Sequence, residues 1–202
     1  MFLIIRSGER IFLIMNKLSD WERIAGVDFL KKAGIKKGYK VLEFGCNDGN
    51  YTIPASAVVG EKGTVFAIDE NKTSIEQLEG KIRPLKYDNI EIMETNGALN
   101  LNFRDDFIDF VMLYDVLHYF TIMHRRILYK EVFRILKSDS VLSVYPKHII
   151  GNFPLMEFRN MSLNELMNEI QDAGFKYSIK ICSKLSHDGH LEEGCIINFV
   201  KM

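Results

Sequence analysis

The sequence predicts an α/β domain. It is a doubly wound, mostly parallel sheet of seven strands with helices on both faces and an antiparallel hairpin at the C-terminal end. Three observations predict it. Short β-rich apolar runs alternate with helix-period patterns between Tyr39 and Tyr145. The first such run stops at a glycine-rich turn that opens a helix. Two long strand-like runs, 177–185 and 195–201, close the chain, with Asp188-Gly189 and Gly194 as turn signals between them. No linker, repeat or low-complexity segment interrupts the chain, so a single domain is expected over residues 1–202.

The elements follow in order. In the opening 1–15, two apolar runs are split by Arg6-Ser7-Gly8-Glu9-Arg10, and neither run is long enough to span a membrane. This opening reads either as a hairpin turning at Ser7-Gly8 or as an extension ahead of Met15. Ser19-Asp20-Trp21-Glu22 is a capping box ahead of a helix ending at Gly34. Residues 39–44 form the first strand, and a helix from Tyr51 carries Pro54 in its first turn, where a missing N–H does little harm. Residues 64–68 form the second strand, ending at Asp69, and Asn71 caps the next helix, which breaks at Pro84. Residues 90–93 and 108–113 are strands three and four. Residues 123–136 are helical, with Ile127, Leu128, Val132, Ile135 and Leu136 apolar, and 141–145 is strand five. Ser162-Leu163-Asn164-Glu165 is a second capping box, and its helix ends at Gly174.

Composition excludes several classes. A formal net charge of −1 supplies no basic field for nucleic acid or anionic lipid, so neither partner is expected. Three cysteines without metal-ligand spacing predict free thiols, a cytoplasmic location and no metal site.

The chemistry centres on Glu43-Phe44-Gly45-Cys46-Asn47-Asp48-Gly49. Such a turn brings backbone N–H groups to the open end of a parallel sheet. Gly45 and Gly49 are free to take positive φ, and Asn47 is one of the few other residue types that tolerates it. The stretch resembles motif I of the class I S-adenosylmethionine (SAM)-dependent methyltransferases, acidic-x-Gly-x-Gly-x-Gly, with Asn47 in place of the middle glycine. It misses two of the three glycines in the G-x-G-x-x-G of dinucleotide-binding dehydrogenases. Val65-Phe66-Ala67-Ile68-Asp69 is similar to the family's second motif. Residues 96–110 are similar to its Gly-Asp-Ala-x-x-Leu-Pro-Phe-x-Asp-x-x-Phe-Asp segment, and Tyr114-Asp115-Val116-Leu117-His118-Tyr119-Phe120 to its Asp-Val-Leu-His-His segment. Residues 134–142 match Arg-x-Leu-Lys-Pro-Gly-Gly, with Ser138-Asp139-Ser140 for the last three. Motif I and four further segments in order make the resemblance specific; within the family it leans to the UbiE/COQ5-like small-molecule enzymes.

The resemblance implies a Rossmann-like fold, SAM as cofactor and S-adenosylhomocysteine (SAH) as product. Its cofactor residues map to Glu43, Gly45, Cys46, Asn47 and Gly49 in the turn, and to Asp69 with Glu70 at the ribose. Asp115 falls at the methionine end. The family's adenine-binding aspartate falls on Gly97, so Asn96 or the Ala98 N–H is expected to take over that edge. His118, then Tyr119, are the candidate catalytic groups on the acceptor side, with Lys147 and His148 on the same rim. Methyl transfer needs mainly alignment and water exclusion, and the acceptor is an unidentified small molecule. Phe153, Leu155, Met156 and Phe158 suggest a partly apolar acceptor or a packed lid. The alternatives are a SAM- or SAH-binding protein without transferase activity, a nicotinamide oxidoreductase, and an arsenite-type enzyme using Cys46, Cys182 and Cys195 as thiolates.

Overall fold

The structure, a computed structural model, describes residues 19–150, 157–158 and 160–202. The expected hairpin or extension over 1–15 lies outside the described residues, as do Phe153, Leu155 and Met156. Among the described residues, seven strands form one sheet: β1 Lys40–Phe44, β2 Thr64–Asp69, β3 Ile90–Glu94, β4 Ile108–Tyr114, β5 Leu136–Tyr145, β6 Phe175–His187 and β7 His190–Lys201. Their order is β3-β2-β1-β4-β5-β7-β6. β1 pairs in parallel with both β2 and β4, and β7 is antiparallel to β5 and β6. β4, β5 and β6 therefore share one direction and end at the same edge. The winding reverses between β1 and β4, which opens a crevice at the carboxyl ends there.

Among the described residues, five α-helices cover the sheet: α1 Gly26–Ala33, α2 Thr52–Val59, α3 Lys72–Ile82, α4 Ile122–Ile135 and α5 Leu163–Asp172. A π-helical turn, Trp21–Ala25, leads into α1, and Ser19 and Glu22 exchange the bonds of the expected capping box. Gly34 closes α1 at φ 112°. The central strands β1, β2 and β4 are buried almost throughout because both faces are covered, so they read as continuous apolar runs. Leu42, Val111, Leu113, Leu128, Val132 and Phe199 form the core on one face; Trp21, Phe29, Leu30, Val41, Val58 and Met112 form the other. Buried, mostly apolar surface of this kind supplies the main drive to fold, roughly 25 cal/mol per Å². Arg125 is buried in this arrangement and is held by Glu169 at 2.8 and 2.9 Å and by the Phe120 carbonyl. It joins α4 to α5.

Three expectations need correction. β5 begins at Leu136 and not Val141: Leu136 already pairs with Ile108, and two steps along β4 face five along β5. The extra residues form a bulge carrying Asp139 at φ 60°, which occupies the Ser138-Asp139-Ser140 turn. Gly194 is not a turn residue but lies within β7 opposite Ser183. A Cβ there would stand 2.6 Å from the Tyr145 hydroxyl oxygen, so close approach explains the glycine. The hairpin turns at Asp188 and Gly189 alone, both at positive φ (46° and 77°). Finally, the thiols are not all free. Cys182 and Cys195 face each other across β6 and β7 and form a disulfide, and Cys46 alone is free. That removes the ground for inferring a compartment from reduced cysteines.

Candidate functional site

The turn after β1 is bound to its neighbours on every side. The N–H groups of Gly45 and Cys46 donate to the Ile68 carbonyl at 2.8 and 3.0 Å. At Gly45, φ is 83°, and a Cβ would meet Val116 Cγ2 at 2.8 Å. Asn47 takes φ 47°, and its N–H donates to Asp69 Oδ2 at 2.8 Å. Asp69 Oδ1 accepts from Asn71 N–H at 2.8 Å, so one carboxylate fastens the turn to the corner between β2 and α3. Trp21 Nε1 donates to the Asn50 carbonyl at 2.7 Å. Lys81 reaches Asp48 at 2.8 Å and Glu22 at 3.0 Å. Trp21 and Lys81 thus anchor the turn from outside, roles that no local pattern in the sequence marks.

A cavity of about 490 Å³ opens at the carboxyl ends of β1, β2 and β4, within the usual range of small-ligand sites. Of the expected cofactor residues, Glu43, Gly45, Cys46, Asn47, Asp69, Glu70, Gly97 and Asp115 line it. Gly49, Asn96 and Ala98 do not. Gly49 is required by packing, since a Cβ there would lie 2.4 Å from Leu78 Cδ1. Asn96 Oδ1 accepts from Ala98 N–H at 3.3 Å, so the two groups expected at the adenine edge bond to each other. Glu70 is the group beside the empty corner at Gly97: its Oε2 lies 2.9 Å from where a Gly97 Cβ would be.

The charges around the cavity are mostly carboxylates. Burial pushes the Glu43 carboxyl up to about 8, and Asp69 and Asp48 add to the effect, although the Thr52 hydroxyl donates to it. Burial likewise raises Asp115 to about 7, aided by Asp188 and Glu192 and opposed by Lys147. The Cys46 thiol is buried and its pKa is driven up by burial and by Glu43, so it is inert.

The residues expected on the acceptor side are placed differently from one another. Tyr119 lines the cavity and is 62% exposed, but His118 is 1% exposed and does not reach it. Its ring packs at 4.1 Å from Tyr119 and 4.2 Å from His148, and neither ring nitrogen has a hydrogen-bond partner among the described residues. Burial, with His148 and His187 nearby, lowers its pKa to about 3. His148 is also buried, and Lys147 pairs with Glu192 at 2.6 Å, so neither forms an open rim. Phe158 is fully buried, with the Arg125 guanidinium 4.9 Å from its ring centre. It is a packing residue. His187, at the end of β6, lines the cavity and was not foreseen. Its signal is topological: only the return of β6 to the shared edge brings it there. The disulfide and the turn hold the three cysteines apart in role, so three convergent thiolates are not available.

Comparison with known proteins gives the same picture. Residues 41–139 match the family model described as a methyltransferase domain. A demethylmenaquinone methyltransferase of Geobacillus sp. (strain WCH70) is 29% identical over 114 residues, 54% of this chain and 46% of that protein. A probable cobalt-precorrin-6B C(15)-methyltransferase (decarboxylating) of Sulfurisphaera tokodaii is 32% identical over 102 residues, 50% of this chain and 53% of that one. The chain spans about half the length of these curated relatives. A crystal structure of a SAM-dependent methyltransferase from Aquifex aeolicus superposes with a TM-score of 0.72 at 22% identity, covering 98% of this chain and 100% of that one. The motif turn, the crevice at the winding reversal and the matched region converge: residues 41–139 match a methyltransferase domain, on a fold shared with a solved SAM-dependent methyltransferase.

Proposed function

We propose that the chain binds SAM in the cavity at the ends of β1, β2 and β4 and transfers its methyl group to a small-molecule acceptor. One observation carries the reading: a 490 Å³ crevice walled by the Gly45–Asn47 turn and by Glu43, Asp69, Glu70 and Asp115. The donor set fits a ligand with a cationic end, a ribose diol and an amino-bearing ring. When bound, SAM supplies an electrophilic methyl group on a sulfonium.

The residues divide the work by place. Glu43, held by the Thr52 hydroxyl, faces the cationic end. Asp69 already accepts two backbone N–H groups, and the remaining lone pairs of its carboxylate serve the ribose hydroxyls. Glu70, and not Asn96, offers the acceptor for the adenine amino group at the Gly97 corner. The acceptor enters at the end formed by Tyr119, Asp115 and His187. With a net charge of −1 the expected partner is a small molecule and not nucleic acid. Among the described residues, no helix is long and apolar enough to cross a membrane.

The test is calorimetric titration with SAM and SAH, followed by turnover against a panel of phenols, thiols, amines and activated carbon acids. Micromolar SAM binding and methyl transfer to one class are expected. Tight binding of a nicotinamide dinucleotide without SAM binding would overturn the reading. SAM binding with no transfer across the panel would favour a binding protein.

A further inference from the structure

The carboxyl ends of β4, β5 and β6 deliver three side chains to one point: Asp115, His148 and His187. Each offers one ligand atom, and those atoms all lie within 4.8 Å of one another. His148 Nε2 stands 3.5 Å from Asp115 Oδ1, and His187 Nδ1 stands 3.4 Å from Asp115 Oδ2. These separations are too long for good hydrogen bonds, which for N–H···O run about 2.7–3.2 Å. They match a different geometry. Bonds of about 2.0–2.1 Å to one ion place neighbouring tetrahedral ligands roughly 3.4 Å apart.

Burial makes the arrangement costly unless something completes it. His148 is 5% exposed and His187 9%. Asp115 Oδ1 and His187 Nδ1 are buried without a hydrogen-bond partner among the described residues. Each faces another member of the set, Asp115 Oδ1 facing His148 Nε2 and His187 Nδ1 facing Asp115 Oδ2. The surrounding charge has the sign a cation needs. Asp115 is joined by Asp188, 3.4 Å from His187 Nδ1, and by Glu192, 3.9 Å from His187 Nε2, while Lys147 offers the opposing charge and already pairs with Glu192. Three carboxylates against one ammonium leave about the two negative charges that balance a divalent ion.

We propose that Asp115, His148 and His187 form a mononuclear site for a divalent transition-metal ion of the zinc class. Two imidazoles and a carboxylate suit zinc, iron, cobalt or nickel better than magnesium or calcium. Three protein ligands leave a coordination position open, as in catalytic zinc sites. Asp115 and His187 line the cavity while His148 lies behind them, so the open position faces the cavity. There it takes an oxygen or sulfur atom of the methyl acceptor and fixes it beside the cofactor turn; this role rests on the methyltransferase reading, whereas the metal site itself does not. His118, whose Nδ1 lies 3.5 Å from Asp115 Oδ1, packs behind the set and orients it.

The test uses the untagged full chain, stripped with a chelator and titrated with Co²⁺ alone, then with Zn²⁺ as competitor. The expected result is saturation at about one ion per chain, visible d–d bands as intense as four- or five-coordinate cobalt gives, and displacement by Zn²⁺. His148→Ala and His187→Ala should each weaken binding by about 100-fold or more, beyond what loss of an outer partner costs. His190→Ala is the control, since His190 stacks on His187 at 5.9 Å without joining the set; it should bind as the wild type does. Because an alanine variant is able to lose its fold, His187→Cys is measured as well, with circular dichroism on each protein. A thiolate-to-cobalt charge-transfer band in that variant would show ligation at position 187 directly. Absence of saturable Co²⁺ binding by folded wild-type protein, or binding by the two folded alanine variants as tight as the wild type's, overturns the site. SAM titration of the same samples separates the two readings: SAM binding without metal binding overturns only the metal site, and metal binding without SAM binding overturns only the methyltransferase reading.

Discussion

Glu43→Gln should make the free protein more stable and a poorer SAM binder, and the size of the first effect follows from burial. Glu43 is 3% exposed, and its carboxyl titrates at about 8 in the folded chain, against an ordinary 4.5. A raised carboxyl pKa means the folded state holds the proton more tightly than the unfolded state does. Stability is therefore greatest below about pH 4.5 as far as this group is concerned, and falls as pH rises toward about 8. At pH 7 the unfolded chain has released the proton about 300 times over, while the folded chain has barely begun. The difference is about 3 kcal/mol. Glutamine keeps the shape and can still accept from the Thr52 hydroxyl, but it cannot ionise. The variant should thus gain up to about 3 kcal/mol at pH 7, or roughly 6–12 °C in melting temperature for a chain of this size. It should gain almost nothing near pH 4.5, where neither state of the wild type differs much from it. The second effect has the opposite sign. A cationic ligand favours the ionised form of Glu43, and the carboxylate it then faces contributes about 1.5–3 kcal/mol, so SAM affinity should drop about 10- to 100-fold. The assay is a pair of thermal melts across that pH range beside a SAM titration. Parallel melting curves for wild type and variant at every pH would refute the argument that Glu43 is a buried, proton-holding group.

Other outcomes follow from single contacts. Asp69→Ala removes the carboxylate that joins Asn47 N–H to Asn71 N–H, and calorimetry should show SAM binding weaker by about 1–3 kcal/mol. Glu70→Ala should weaken SAM by more than about threefold, or 0.6 kcal/mol, while Asn96→Ala changes it by less, because Asn96 Oδ1 is spent on Ala98 N–H; the reverse order would return the adenine edge to Asn96. Gly49→Ala puts a methyl group 2.4 Å from Leu78 Cδ1 at a φ of 93°, and denaturant unfolding should show a loss of about 1–3 kcal/mol or more.

The fold was legible because its signals are local. Strand β1 and its turn lie within Lys40 to Gly49, and the two capping boxes and Gly34 mark helix ends by residue type alone. What misled the reading was also local. Ser138-Asp139-Ser140 has turn-like composition, yet the pairing of Leu136 with Ile108 extends β5 past it as a bulge, a non-local decision. Gly194 looks like a turn glycine, but its reason is the Tyr145 ring from another strand. Cys182 and Cys195 carry no spacing that announces a bond; they meet because the Asp188-Gly189 turn sets the register of β6 against β7.

The same division runs through the site. The cofactor half is written in contiguous stretches, since one strand, one turn and one helix start must sit next to each other to hold a phosphate-sized or ribose-sized group. The half proposed to receive the acceptor is written across the whole chain: Asp115 follows β4, His148 follows β5, and His187 ends β6. No spacing rule relates these positions, because the distances are set by sheet order and by the double reversal through β7 that points β6 the same way as β5. His118 shows the cost of reading that half locally. It stands in the segment where a base is expected, but a 3₁₀ turn at Leu117–Tyr119 sends its ring inward and leaves Tyr119 outside. The residues proposed to meet the acceptor are therefore those the topology assembles, and the physical question at this end of the crevice is what completes a half-buried carboxylate and two buried imidazoles.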